Sequence, residues 1–152
     1  MSHMKAATLK APLKKTPAPK ASNGAKNGSR TPNELVKVVQ DGLPFGELET
    51  LRRELALSLD QVGEKLGIPR ATLHRRKASG RLAPDESDRV LRFARLVRQA
   101  TEVFGTVDRA QQWLSFPQYG LGGVVPLDYA RTEVGAREVE KLLHRIEHSV
   151  YV

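Results

Sequence analysis

Cysteine is absent from this sequence of 152 residues, so disulfide bonds and thiolate metal sites are excluded. A long apolar run is also absent, because no stretch approaches the roughly 20 residues that a membrane-spanning helix needs. The first residues contain no apolar core of the kind found in a secretion signal. Together these absences predict a cytoplasmic protein that does not enter a membrane.

Acidic residues are absent from the first 33 positions, which carry seven lysine and arginine residues. The whole chain has a net charge of +8, so the remaining positions contribute only one unit. Among them, residues 58–82 hold six basic residues against two acidic ones, and the last third is slightly acidic. Positive charge therefore concentrates in the front half of the chain, which indicates a polyanionic partner for that half.

Apolar residues are scarce in residues 1–33, where Leu9 and Leu13 stand almost alone among Lys, Ala, Pro, Asn and Gly. Such a segment cannot bury enough surface to offset its ordering entropy, so we predict a disordered basic arm. Two roles are open for this arm: contact with DNA phosphates, or simple solubilisation. Residues 1–4, MSHM, have the appearance of a cloning remnant.

Residues 58–77, SLDQVGEKLGIPRATLHRRK, have the pattern of a helix-turn-helix. Ser58 and Gln61 have the spacing of a capping box at the start of the first helix. Gly67 suits the tight turn that follows this helix. Pro69 suits the first position of a second helix.

The predicted second helix runs from Pro69 to about Lys77 and places Leu73 inward. Its outer face carries cations and small polar groups, which fits a DNA major groove. The alternative is an ordinary helical hairpin with a solvated basic face. The next inward position should be apolar but is Arg76, so either the helix is short or Arg76 lies along the DNA backbone. The predicted DNA-binding residues are Arg70, Thr72, His74, Arg75, Arg76 and Lys77.

The remaining segments are also predicted to be helical. Residues 47–57 have apolar side chains at helical spacing. Their apolar face consists of Leu48, Leu51, Leu55 and Ala56. Pro84 opens the longest helix, which ends at Gly105, and Thr106 and Thr132 begin two more. No segment alternates convincingly like a strand, so the predicted fold is all-α.

Four arginines recur at every third position of the longest helix. They are Arg89, Arg92, Arg95 and Arg98. This row could form a second nucleic-acid patch, but a solvated face that pairs with nearby acids is the favoured interpretation. We divide the ordered chain into a DNA-binding domain over 34–100 and a second helical domain over 101–152, with enough apolar residues for a small core of its own.

Three strings carry a family resemblance: ESDRVLRFARLVRQATEVFG, AQQWLSFPQYGLGG and VPLDYARTEVGAREVEKLLHRIEH. From about Leu48 to His148 the chain resembles the Xre/MbcA/ParS antitoxins. The matching positions are Ser-Asp-Arg at 87–89, Phe104-Gly105, Ala110, Trp113-Leu114, Pro126-Leu127, Thr132 and Gly135-Ala136. The chain departs from many relatives at Ser149, where they have Gly.

The resemblance implies an all-α fold with a Cro/Xre-like helix-turn-helix domain followed by a small helical toxin-binding domain. It implies an antitoxin that is not an enzyme and needs no cofactor. Its implied partners are a RES-domain toxin, which consumes NAD, and the operator DNA of its own operon. We also expect a homodimer, because paired half-sites suit a two-fold protein. The alternative is a stand-alone helix-turn-helix repressor without a toxin partner.

The second domain is the predicted toxin-binding surface. The predicted toxin-binding residues are Tyr129, Arg131, Arg137, His148, Val150, Tyr151 and Val152. We expect Val150-Tyr151-Val152 to block the toxin's active site, because a Tyr between two β-branched residues is a good interface anchor. The alternative is that these three residues fold back onto Leu142 and Ile146.

The string His144-Arg145-Ile146-Glu147-His148 fits the zinc motif H-x-x-E-H. Two histidines at positions i and i+4 of a helix could hold zinc, with Glu147 as a base. A catalytic site needs a third protein ligand, and the other face of the helix is needed for the core. We therefore do not predict a zinc enzyme, and we assign His144 and His148 to the surface or to a partner interface.

Overall fold

The computed structural model describes residues 30–149 of the chain. This range contains eight α-helices, a short 3-10 helix over Tyr119–Leu121 and no β-strand. The helices are α1 (Pro32–Asp41), α2 (Phe45–Glu54), α3 (Leu59–Leu66), α4 (Arg70–Ser79), α5 (Pro84–Phe104), α6 (Val107–Ser115), α7 (Pro126–Tyr129) and α8 (Glu133–His148). The all-α prediction is therefore confirmed. No helix within the described range is long and apolar enough to cross a membrane.

The two ends of the chain lie outside the described residues. These ends include the MSHM string and most of the predicted basic arm, residues 1–29, as well as residues 150–152. Helix α1 begins inside the predicted arm, at Pro32, because Thr31 and Glu34 form a capping box with each other's backbone N–H groups. Regular structure therefore begins within the last three residues assigned to the arm, close to its expected boundary at residue 33.

Side-chain caps begin four of the described helices. Thr31, Ser58, Thr106 and Thr132 each accept a hydrogen bond from the backbone N–H three residues later. Such a bond satisfies one of the N–H groups that have no partner within the helix. The predicted starts at Ser58, Thr106 and Thr132 are confirmed.

Helix α2 differs from the prediction over residues 47–57. It starts two residues earlier, at Phe45, and ends at Glu54. Ala56 follows with a φ of 54° and an exposed side chain. Its assignment to the apolar face was wrong, because the chain leaves the helix at Leu55 to enter the cap of α3.

Helix α5 is the centre of the fold, since α1, α2, α3, α6 and α8 all contact it. Its buried residues include Val90, Phe93 and Leu96, of which the last is fully buried. The described part of the chain has one hydrophobic core, which extends from Leu43 to Leu143. Buried residues of the second domain therefore join those of the first in this core, and their sufficiency for a core of their own stays a prediction. The predicted boundary near residue 100 falls inside α5 and stays a prediction.

Gly135 offers a test of how α8 packs. A Cβ at this position would lie 1.7 Å from the carbonyl oxygen of Tyr129, whose backbone cannot move without displacing α7. We expect Gly135→Ala to lower the free energy of unfolding by at least about 3 kcal/mol, the upper range for overpacking. Urea denaturation followed by circular dichroism measures this change.

Gly46 is the matched control, because a Cβ added there meets nothing within 4 Å and the residue lies in α2. Gly46→Ala should leave stability unchanged or raise it by up to about 1 kcal/mol. Equal stability of the two variants would contradict the packing of α8 on the turn after α7.

Candidate nucleic-acid interface and partner-binding surface

Helices α3 and α4 form the helix-turn-helix that the sequence predicts. Gly67 lies in the left-handed region at φ 71° and ends α3. Gly63 faces α4, where a Cβ would lie 2.8 Å from Cδ2 of Leu73. Ile68 and Leu73 are buried between the two helices. Pro69 caps α4 rather than occupying its first position, and α4 extends to Ser79, beyond the predicted end.

The outer face of α4 carries the cations that the sequence predicts. Arg70, His74, Arg75 and Lys77 are exposed, and Thr72 is half-buried. Arg75 donates a hydrogen bond to the Thr72 hydroxyl at 3.2 Å. Asp60 at the start of α3 lies 3.7 Å from the Arg70 guanidinium. This face is therefore polar, mainly cationic and available to a phosphate backbone or to base edges.

Arg76 is directed differently from the other predicted DNA-binding residues. Its Nε donates to Oε1 of Glu86 at 2.8 Å, and Glu86 is only 5% exposed. The same carboxylate oxygen accepts the backbone N–H of Ala83 at 2.8 Å, at the start of α5. Arg76 was left with two alternatives, a short helix or a position along the DNA backbone. Helix α4 is not short, and Arg76 connects it with α5 through Glu86.

The Ser-Asp-Arg string at 87–89 connects α5 with the segment before α2 and with the end of α3. The buried Ser87 hydroxyl accepts the N–H of Leu43 at 2.8 Å. The Arg89 guanidinium donates to the carbonyl oxygens of Leu66 and Gly67 at 2.8 and 3.2 Å. A cation at these carbonyls stabilises the negative end of α3.

Arg89, Arg92 and Arg95 of the α5 row pair with acids, as the favoured interpretation predicted, but the Arg92 side chain is only 11% exposed and so is not solvated. Arg92 contacts Asp88 and Glu133 at 2.9 and 3.0 Å. Arg95 contacts Glu133 and Glu140. Burial acts to raise the pKa of Glu133, but hydrogen bonds and charges from Arg92 and Arg95 outweigh it and lower that pKa. Arg92 and Arg95 therefore attach α8 to α5, which favours a structural role for these two arginines over a second nucleic-acid patch.

Two further polar contacts connect the second half of the chain with α3. The Lys65 ammonium lies 2.6 Å from the Asp128 carboxylate. The Arg131 guanidinium donates from Nη2 to the carbonyl oxygen of Glu64 at 2.7 Å. Helix α7 and the residues that directly follow it are thus bound to the carboxyl end of α3. We call this pair of contacts, Lys65–Asp128 and Arg131–Glu64, the α3 clasp.

The predicted toxin-binding residues do not form one cluster. Arg131 belongs to the α3 clasp, and Tyr129 directly follows Asp128 of that clasp in the chain and is partly exposed. Arg137 lies on α8, 3.6 Å from Glu133, and His148 is the last residue of that helix. Since a helix rises about 1.5 Å per residue, Arg137 and His148 are roughly 16 Å apart along its axis. Val150, Tyr151 and Val152 lie outside the described residues.

Exposed apolar side chains form a surface feature that the sequence analysis did not single out. Phe116 is 62% exposed, Tyr119 fully exposed and Val134 74% exposed. The Gln118 amide holds the loop between α6 and α7 by donating to the carbonyl oxygens of Trp113 and Phe116 at 2.9 and 3.2 Å. The sequence does contain a signal for this surface, namely two aromatic residues in a loop rich in Gly and Pro. A fixed loop that displays aromatic rings is suited to protein contact.

Comparisons with known proteins match both halves of this chain to families. Residues 34–95 match the family described as the antitoxin Xre-like helix-turn-helix domain. Residues 99–148 match the family described as the antitoxin Xre/MbcA/ParS C-terminal toxin-binding domain. The loop with Phe116 and Tyr119 lies inside the second match.

Full-length relatives show the same likeness. The chain is 34% identical to Antitoxin Xre of Yersinia enterocolitica over 77% of its own length and 80% of the relative's. It is 33% identical to Antitoxin Xre of Photorhabdus laumondii over 76% and 80% of the two chains. It is also 27% identical, over 99% of both chains, to a Sphingobium protein named Prs ADP-ribosylating antitoxin.

The Arg76–Glu86 pair yields a stability prediction. Arg76→Ala should lower the free energy of unfolding by about 1–3 kcal/mol, because it removes the charged donor to a buried carboxylate. Urea denaturation measures the change. Arg75→Ala is the control, since Arg75 is exposed and such changes stay within about 0.5 kcal/mol. Equal effects of the two changes would show that Arg76 does not help to hold α4 on α5.

Proposed function

Because this chain belongs to the Xre family of antitoxins, we propose that it neutralises a cognate RES-domain toxin and represses its own operon. In this proposal the protein acts as a homodimer in the cytoplasm. It is not an enzyme and uses no cofactor. The observation that supports this most is a cationic helix-turn-helix that shares one core with a domain matching a toxin-binding family.

The proposed DNA-binding face is the outer side of α4. Arg70, Arg75 and Lys77 supply charge for phosphates or guanine edges, and Thr72 and His74 supply polar groups between them. Arg76 positions α4 through Glu86 and is not proposed to read bases. One copy of α4 reads one half-site, so a homodimer would bind two half-sites about one helical turn apart.

A band-shift titration with the DNA upstream of the protein's own gene tests this face. Arg75→Ala should weaken specific binding by about 1–3 kcal/mol if Arg75 contacts a base. Arg98→Ala, which changes an exposed arginine of α5, is the matched control for lost charge and should have little effect. Unaltered binding by the combined Arg70, Arg75 and Lys77 alanine variant would exclude α4 as the reading helix.

We propose a RES-domain toxin for two reasons. The first is that the family resemblance implies such a partner. The second is that RES toxins resemble ADP-ribosyltransferases, which consume NAD, and the name of the Sphingobium relative refers to ADP-ribosylation. In this proposal Phe116 and Tyr119 join Tyr129, Arg131, Arg137 and His148 as toxin contacts, and the segment Val150-Tyr151-Val152 enters the NAD cleft.

Two variants separate attachment to the toxin from blocking of its active site. A chain shortened to end at Ser149 should still bind the toxin but restore part of its NAD consumption. The combined Phe116→Ala and Tyr119→Ala variant should lose at least about tenfold in affinity, because exposed aromatics in a fixed loop are common energetic anchors. Calorimetry with purified toxin and an NAD-consumption assay measure the two effects.

The shortened chain decides between two roles for residues 150–152, which are blocking the toxin's active site and folding back onto the chain's own last helix. Full inhibition of NAD consumption by that chain would exclude blocking by residues 150–152. Loss of folding would favour the alternative in which these residues fold back onto Leu142 and Ile146, both half-buried on α8. Thermal unfolding of the shortened chain is therefore the control.

The alternative function is a stand-alone repressor. It would share the features of α3 and α4, but it would give no role to the match over residues 99–148 or to the exposed aromatic loop. Whether the neighbouring open reading frame encodes a RES-domain protein distinguishes these two functions. Its presence would support the antitoxin, and its absence would favour the stand-alone repressor.

A further inference from the structure

The last two turns of α8 bring three metal-ligating side chains together. They belong to His144, Glu147 and His148, all of which are exposed. One ligand atom of each lies within 4.8 Å of the other two, and the two imidazole centroids are 4.3 Å apart. Nε2 of His148 is 3.7 Å from a carboxylate oxygen of Glu147. Helix geometry is the cause, because residues three and four apart share a face.

The remaining packing of α8 does not use these side chains. The helix packs through Val139 and Leu143, which are fully buried. His144 borders a shallow depression together with Arg145 and Glu140, so it is open to solvent. Three potential ligands at the end of a helix that is anchored elsewhere are free to reorient around an ion without disturbing the core.

Two imidazoles and one carboxylate suit a divalent ion of intermediate softness, such as zinc. Neutral imidazole and carboxylate are zinc ligands at about 2.0–2.2 Å, and ligand atoms on a tetrahedral ion are then about 3.3 Å apart. The three ligand atoms already lie within 4.8 Å of one another, so small rotations of these exposed side chains are enough to reach that spacing. Magnesium and calcium prefer sets made wholly of oxygen ligands, so they fit poorly.

We propose that His144, Glu147 and His148 form a surface site for a divalent transition-metal ion of the zinc class. The two imidazoles and the carboxylate occupy three positions, and water occupies the fourth. Glu147 is a ligand here and not a catalytic base, because the three side chains lie on the exposed face of α8 and, among the described residues, border at most a shallow depression. Lys141 and Arg145 on the same helix are positively charged and repel the ion. The site therefore binds the ion more weakly than a closed structural zinc site does.

The site does not depend on the proposed function, but it has a consequence for it. His148 is also a proposed toxin contact, so an ion held by its imidazole would compete with the toxin for this end of α8. Zinc binding would then reduce affinity for the toxin. Failure of this competition would leave the metal site intact and remove only His148 from the toxin interface.

Calorimetric titration of the full chain with zinc chloride tests the site. We expect wild type to bind zinc at micromolar concentrations, and His144→Ala and His148→Ala each to weaken it at least tenfold. Glu147→Gln should weaken it less, because two imidazoles remain. Magnesium chloride should give no binding at the same concentrations. Circular dichroism should show unchanged folding, since all three side chains are exposed.

Two controls separate this site from general binding by exposed residues. Arg145→Ala changes a neighbouring exposed side chain that is not a ligand, and His74→Ala removes an exposed imidazole on α4. Both should bind zinc like wild type. Equal losses in His74→Ala and His148→Ala, or no wild-type binding below millimolar zinc, would overturn the proposal.

Discussion

The position of α4 depends on one buried carboxylate, that of Glu86. Glu86 accepts from the Ala83 backbone at the start of α5 and from Arg76 near the end of α4, both at 2.8 Å. A carboxylate this deeply buried needs such donors, because an unpaired one would carry a large desolvation penalty. The pair therefore fixes α4 relative to α5, and the exposed cations of α4 take their direction from it. In this way an arginine that looks like a DNA ligand in the sequence acts within the fold, by holding the helix that is proposed to bind DNA.

Local signals made much of the fold predictable from the sequence. Capping residues at Ser58, Thr106 and Thr132 and the turn at Gly67 act within three or four positions along the chain, so spacing alone reveals them. The departure at Ala56 arose because the same apolar pattern continued past the end of α2 into a turn. Local patterns cannot show where a helix stops when the cap of the next helix decides it.

Contacts between residues far apart in the sequence could not be predicted from local patterns. Arg76 and Glu86 are ten residues apart, and Arg131 meets the Glu64 carbonyl across 67 residues. The sequence showed that these cations exist but not which acceptors they reach. The exposure of Phe116 and Tyr119 could likewise not be read from local pattern, because it is set by how their loop packs on the rest of the fold. The resemblance placed them in the toxin-binding half, and the structure identifies them as exposed.

The α3 clasp bears on how the two proposed functions coexist. Arg131 was predicted to contact toxin, yet its Nη2 donates to the Glu64 carbonyl. A guanidinium has five N–H donors, so this bond leaves others for a carboxylate of a partner. Such a contact would add charge-assisted bonds around Arg131 without breaking the clasp. Toxin binding at Arg131 therefore need not pull the second half of the chain away from α3, and an antitoxin bound to toxin could keep α4 in the orientation that reads DNA.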